Sequence, residues 1–180
     1  MNEPRLSWQE SGWRWLWITA LFIVLDQLTK LWIVSSVTHD IQVLPVLNII
    51  HTVNYGAAWS MFADWGGSQR WLLSALAVVI SIAIVYWLRR LSMASQRLLI
   101  GGLVLILGGA IGNVIDRLRL GHVIDFIDVH WGTAHFPAFN VADAAISVGA
   151  VLVILDSLLE QRREKQAAAR AAAGGADTGR

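Results

Sequence analysis

Two stretches of the chain are apolar from end to end. WLLSALAVVISIAIVYWL, between Arg70 and Arg89, and LLIGGLVLILGGAIGNVI, between Arg97 and Asp116, contain no charged residue. A bilayer core about 30 Å thick is crossed by roughly 20 residues of helix, so each stretch predicts a membrane span. A third candidate, 15–37, is broken only by Asp26 and Lys30. These sit four residues apart on one helical face, where they can pair or turn toward the bundle. A fourth, 139–159, holds Asp143 near one end and Asp156 near the other. The pattern therefore predicts an all-α polytopic membrane protein with four transmembrane helices, at about 15–37, 71–88, 98–115 and 139–159. These form a single domain over 1–160. The tail 161–180 is low-complexity and is expected to fray from helix into disorder. The segment 41–62, IQVLPVLNIIHTVNYGAAWSMF, is β-branched at first and turn-like around Asn54 and Gly56. It predicts a small β-rich outer (periplasmic) loop region of short strands at the membrane surface. Asp26 and Lys30 interrupt the first apolar segment, and no small-x-small cleavage site follows it. It is expected to be a retained span.

Composition points the same way. The 180 residues are 56% hydrophobic and 15% charged, with a mean hydropathy of +0.54. An ordinary soluble domain has roughly 45–50% and about 25%. A soluble enzyme and a disordered chain are both poor fits. The net charge of +1 leaves no basic footprint for a phosphate backbone, so no nucleic-acid partner is expected. With no cysteine, disulfides, Fe–S clusters, thiolate zinc sites and cysteine nucleophiles are excluded.

Charge also sets an expected orientation. Arg5 and Arg14 precede the first span, Arg89, Arg90 and Arg97 link the second and third, and Arg162, Arg163, Lys165 and Arg170 follow the fourth. The positive-inside rule then places both termini and the 89–97 link in the cytoplasm, with 38–70 and 116–138 outside. Arg70, Arg117 and Arg119 run against the trend. Trp13, Trp15, Trp71, Trp87 and Trp131 fall near predicted span ends, where amphipathic rings favour the interface.

Acids at membrane depth are costly, and they usually serve a function or a partner. Two blocks concentrate them. GGAIGNVIDR (Gly108–Arg117) closes the third span, and PAFNVAD (Pro137–Asp143) opens the fourth on the same face. Each contains Asn-x-x-Asp, Asn113 with Asp116 and Asn140 with Asp143, a spacing at which the amide can orient the acid. Between the blocks lies HVIDFID, with Asp125 and Asp128. Two carboxyl groups a few ångströms apart share one proton, so that one activates water and the other protonates a leaving group. The plainer reading is a helix cap or an ion pair, and Asp116 beside Arg117 invites it. Gly101, Gly102, Gly108 and Gly109 are expected to serve close helix packing. His122, His130 and His135 lack the spacing of a helical ligand pair, and no metal or other cofactor is expected. No Gly-x-Ser-x-Gly is present, which disfavours a serine protease.

Taken together, DQLTK from Asp26, NYGAAWSMF from Asn54, GGAIGNVIDR, HVIDFID from His122 and FNVAD from Phe139 resemble the type II, or lipoprotein, signal peptidases of bacteria. The match is collinear from about Leu25 to Leu155. Trp59 stands where that family more often has phenylalanine. The resemblance implies a metal-independent aspartic endopeptidase of the bacterial cytoplasmic (inner) membrane. It would remove the signal peptide of prolipoproteins before a diacylglyceryl-modified cysteine, with membrane lipid as its surroundings. By motif position the catalytic pair would be Asp125 and Asp143. Asn54, Gly56, Asn113, Asp116, Arg117 and Asn140 would shape the site and hold substrate, and Asp26 and Lys30 would give structural support. The bottom-up topology puts both acids at the outer face. The alternative from another class is a small proton- or ion-coupled transporter, which would place its acids near the midplane of broken helices or paired repeats. Here they gather at one face.

Overall fold

A computed structural model of the chain describes residues 7–56 and 66–175. A short 3-10 turn, Gly12–Trp15, leads into α1 (Leu16–Ser36). The strands β1 (Ile41–Leu44) and β2 (Leu47–Asn54) follow, then α2 (Gln69–Leu88) and α3 (Arg97–Leu120). The strands β3 (Val123–Trp131) and β4 (Ala134–His135) precede α4 (Val141–Gly175). All four helices are long and apolar enough to cross a membrane.

α3 is the central helix. Most of it is buried, whereas α1, α2 and α4 expose most of their surface. What they expose is large and apolar, for example Trp17, Val24 and Leu31 on α1, Val79 and Ile82 on α2, and Val151 and Ile154 on α4. Water would not tolerate apolar faces this extensive, but hydrocarbon does. With lipid as apolar as leucine, close association has to come from backbone proximity. Gly102 and Gly149 supply it: a Cβ on either would stand 2.7 or 2.6 Å from the other's carbonyl oxygen. Gly108 and Gly109 are similarly crowded. Gly101, expected to join them, meets only an ordinary contact with Trp15.

The strands form one antiparallel sheet in the order β1-β2-β3-β4. It lies against the bundle end where α1 and α3 finish and α4 begins. Ile33 and Val37 at the end of α1 pack with Ile124 and Phe126 of β3, and with Val141 at the start of α4. The expected strands in 41–62 are present as β1 and β2. Residues 57–62 of that segment lie outside the described residues.

The third helix runs on to Leu120, so Asp116 and Arg117, expected to close the span, lie in its last turns. It stops at Gly121, whose φ of +84° favours glycine. The HVIDFID block is a strand, not a connecting loop. The tail is helical through Gly175, as its alanine-rich sequence favours.

Candidate active site

Two groups of buried carboxylates meet at the sheet end of the bundle. The first is built around Lys30. Its Nζ lies 2.9 Å from Asp26 Oδ2 and 2.7 Å from Asp116 Oδ2, with the lysine 2% exposed and the acids 0% and 3%. Gln27 Nε2 donates to Asp116 Oδ1 at 2.9 Å. Asp26 Oδ1 accepts from the Ala142 backbone N–H in the first turn of α4 at 3.0 Å. Asp116 Oδ2 also accepts from the Ile124 N–H of β3 at 3.3 Å. The cluster thus ties α1, α3, α4 and the sheet together. Gly112 is small because it faces this cluster, where a Cβ would stand 2.7 Å from Asp26 Oδ2.

The second group is Asp125 and Asp143. β3 presents Asp125 opposite Thr52 of β2, and its two oxygens accept from neutral amides. Asn54 Nδ2 donates to Oδ2 at 3.1 Å, and Asn140 Nδ2 donates to Oδ1 at 2.7 Å. Asp143 Oδ1 accepts from Asn113 Nδ2 at 2.7 Å. Asn140 is the N-cap of α4. Its Oδ1 accepts from the Asp143 N–H at 2.9 Å, while Asp143 Oδ2 accepts from the Asn140 N–H at 3.3 Å. That reciprocal pair is a capping box, so the cap expected as the plain reading and the placing of a candidate acid are one structure. The Asn140 amide then reaches across to Asp125, linking the two acids. Among the described residues neither acid forms an ion pair. Burial, and then the negative charge of Asp143, push the Asp125 carboxyl up from the usual 3.8 to about 6, against the hydrogen bonds from Asn54 and Asn140 and the charge of Lys30.

Both acids line a cavity of about 870 Å³ that extends along α2, α3 and α4. Its walls are mostly apolar, including Leu73, Leu76 and Ile80 of α2 and Ile146 and Val148 of α4. Phe136 and Phe139 border it on the segment before α4. Thr52, Asn54, Asn113 and Arg117 add polar lining near the acids. Arg117 donates to the Gly56 carbonyl at 3.0 Å, and the Gly56 N–H donates to Asn54 Oδ1 at 2.9 Å. The arginine and the turn at Gly56 therefore fix which face of the Asn54 amide meets Asp125.

Two expectations from spacing do not hold. Asn113 orients not Asp116, three residues on, but Asp143 from the other block. Asp116 pairs not with Arg117 but with Lys30. In both cases a neighbour on another helix outcompetes the local one, because i and i+3 proximity leaves side-chain direction open. Asp125 and Asp128 part company because strand residues an odd number apart face opposite sides. Asp128 instead accepts from Asn48 Nδ2 at 3.0 Å and pairs with His135 Nδ1 at 2.8 Å. Two features were missed. Gln27 lies inside the DQLTK block, between Asp26 and Lys30. β3 was signalled by the β-branched and aromatic run VIDFIDVHW. Among the described residues no group of three or more His, Asp or Glu is placed to hold a metal.

Fold and site together define a multi-pass membrane protein with a carboxylate pair at the head of an apolar cavity. Residues 18–159 match the family model Peptidase_A8, "Signal peptidase (SPase) II", and the chain belongs to that family. It is 47% identical over 162 residues to the "Lipoprotein signal peptidase" of Shewanella halifaxensis, covering 89% of this chain and 95% of the relative. It is 44% identical to that of Shewanella oneidensis over the same shares. A solved structure described as "Bacterial membrane enzyme structure by the in meso method at 2.3 A resolution" superposes with a TM-score of 0.70. That pair is 31% identical and covers 82% of this chain and 88% of the other. The protein is a bacterial membrane peptidase, and the transporter alternative finds no support.

Proposed function

We propose that this protein cleaves prolipoproteins on the amino side of a diacylglyceryl-modified cysteine, using Asp125 and Asp143 as a metal-independent aspartic pair. The observation that carries the reading is that two acids from separate elements, neither in an ion pair among the described residues, stand at the polar end of an apolar cavity. The relatives' printed name supports the substrate class. In the active form the pair holds one proton. Asp143, ionised and accepting from Asn113 and the Asn140 N–H, takes a proton from water. The water oxygen bonds to the scissile carbonyl carbon. As the C–N bond breaks, the proton on Asp125 passes to the leaving nitrogen. Substrate filling the cavity displaces water and favours the neutral form of Asp125 further.

Asn54, Gly56, Asn113, Arg117 and Asn140 shape this site through the hydrogen bonds described, and Asp116 contributes from the ion cluster behind it. Among the described residues α2 packs on α3 rather than on α4, so the cavity lies between two helices whose outer faces are apolar. That arrangement suits an apolar peptide and lipid chains arriving from the bilayer. The basic residues at 5, 14, 89, 90, 97, 162, 163, 165 and 170 support cytoplasmic termini. The site and its sheet then lie at the outer face of the inner membrane.

The test is cleavage of a fluorescent diacylglyceryl lipopeptide by the purified protein. Turnover unaffected by EDTA and absent from both Asp125→Asn and Asp143→Asn is expected. Turnover by either variant near the wild-type rate, or its loss to the chelator, would overturn the assignment.

A further inference from the structure

The three N–H donors of Lys30 have three oxygens to meet. Two belong to Asp26 and Asp116, and the third is Asn113 Oδ1 at 3.1 Å. The same Asn113 oxygen accepts from Asn140 Nδ2 at 3.3 Å. An ammonium can only donate, so the side of the Asn113 amide that faces it has to be oxygen. The other side, Nδ2, is then directed at Asp143 Oδ1, at 2.7 Å. Turned over, the amide would set oxygen against the Asp143 carboxylate and NH2 against the Lys30 ammonium. Both contacts would be repulsive inside a buried network, where unsatisfied polar groups are expensive.

We infer that Lys30 is a positioning residue for catalysis: through Asn113 it fixes a hydrogen-bond donor on Asp143 and so holds that carboxylate where it can accept the proton of the attacking water. The inference rests on the proposed Asp125–Asp143 pair. It assigns to the ion cluster a role in the chemistry beyond support of the bundle. The charged groups acting on Asp125 are Asp143 of α4, Lys30 of α1 and Arg117 of α3. Asn54 and Asn140 are its neutral partners. Lys30 is thus also a cation whose removal favours the protonated form of Asp125.

Lys30→Met alone leaves two buried carboxylates without a counter-ion, and it is expected to fold poorly. The informative comparison is Asp26→Asn/Lys30→Met against Asp26→Asn, since the double variant deletes one charge of each sign. Relative to Asp26→Asn, the double variant should lose on the order of 10²-fold in kcat, the scale of a misplaced catalytic group. KM should be little changed. The limb of the pH–rate profile that reports Asp125 should move to higher pH. In an Asn113→Ala background the added loss from Lys30→Met should largely vanish. Equal kcat and superimposable pH profiles for the pair would overturn the relay, as would a Lys30 effect that persists undiminished without Asn113.

Asn113→Asp decides the matter independently should the double variant fail to accumulate. It keeps an oxygen for Lys30 but replaces the donor facing Asp143 with a second oxygen, and it should be nearly inactive though folded. Wild-type turnover by Asn113→Asp would also overturn the relay. Active Asp125→Asn or Asp143→Asn enzymes would instead overturn the catalytic pair on which the relay depends.

Discussion

Asp26 and Asp116 lie against the ammonium of Lys30, whereas Asp125 and Asp143 lie against neutral amides. All four are acids at one end of the bundle, and Asn113 touches both groups. In the first, one lysine answers two acids, and backbone or side-chain donors take up the remaining oxygens. Such a cluster is rigid and holds elements together. In the second, no cation makes contact, one carboxyl is pushed up to about 6, and the acids open on a cavity. The teaching is that burial alone does not make an acid reactive. What matters is whether its charge is answered by a fixed cation or left to a mobile proton.

The contrast is broken most directly by neutralising each group in turn. Asp125→Asn and Asp143→Asn should each lower lipopeptide cleavage by on the order of 10²–10⁴-fold, the usual share of general acid–base catalysis, with normal amounts of folded protein in the membrane. Comparable activity with either asparagine would erase the distinction between the groups. On the other side, Lys30→Met should cost about 3–5 kcal/mol of stability, because it leaves Asp26 and Asp116 buried without a cation, and Asp116→Asn should cost less, because Lys30 keeps Asp26. Thermal unfolding in detergent and membrane abundance measure this, and an unchanged Tm would show that the cluster does not hold the fold.

A sharper form sets one substitution against itself. The folded-state pKa of Asp125 lies above its ordinary value, so the native protein binds the proton more tightly than the unfolded chain does. Stability is therefore lost as pH rises between 3.8 and about 6. Asp125→Asn removes that penalty. It should raise Tm at neutral pH, and the gain should shrink as pH falls through this window. A lower Tm at neutral pH would contradict it. The same Asp→Asn change is thus expected to stabilise at Asp125 and destabilise at Asp116. The smallest effect is expected at Asp128, on the other face of β3. Asp128→Asn weakens contacts to His135 and Asn48 worth about 1 kcal/mol in stability, and lipopeptide turnover should stay at the wild-type level. A large loss of turnover would place the hairpin in the site.

Much of this was legible along the chain. Charge-free runs gave α2 and α3, and the Asp26–Lys30 spacing gave a shared face. The β-branched run gave β1 and β2, and Asn140–Asp143 read as a possible cap. The resemblance pairs Asp125 with Asp143, which spacing alone leaves open. What spacing misjudged was partnership. Asn113 lies three residues from Asp116 and 30 from Asp143, yet its amide serves the distant acid. Arg117 adjoins Asp116 but reaches Gly56, 61 residues away. Local spacing bounds distance along one helix, and it cannot rank a neighbour there against one on another helix.

The sequence by itself determined the solvent. Its long uncharged runs can be satisfied only in lipid, and most of the acids gather toward one end of the bundle. Which of those acids keep a fixed cation and which keep a proton was decided by tertiary structure alone. Lys30 has three donors and spends them on Asp26, Asp116 and Asn113, which leaves none for Asp125 or Asp143. That allocation depends on three helices and a strand meeting at one point, and no stretch of the chain contains it.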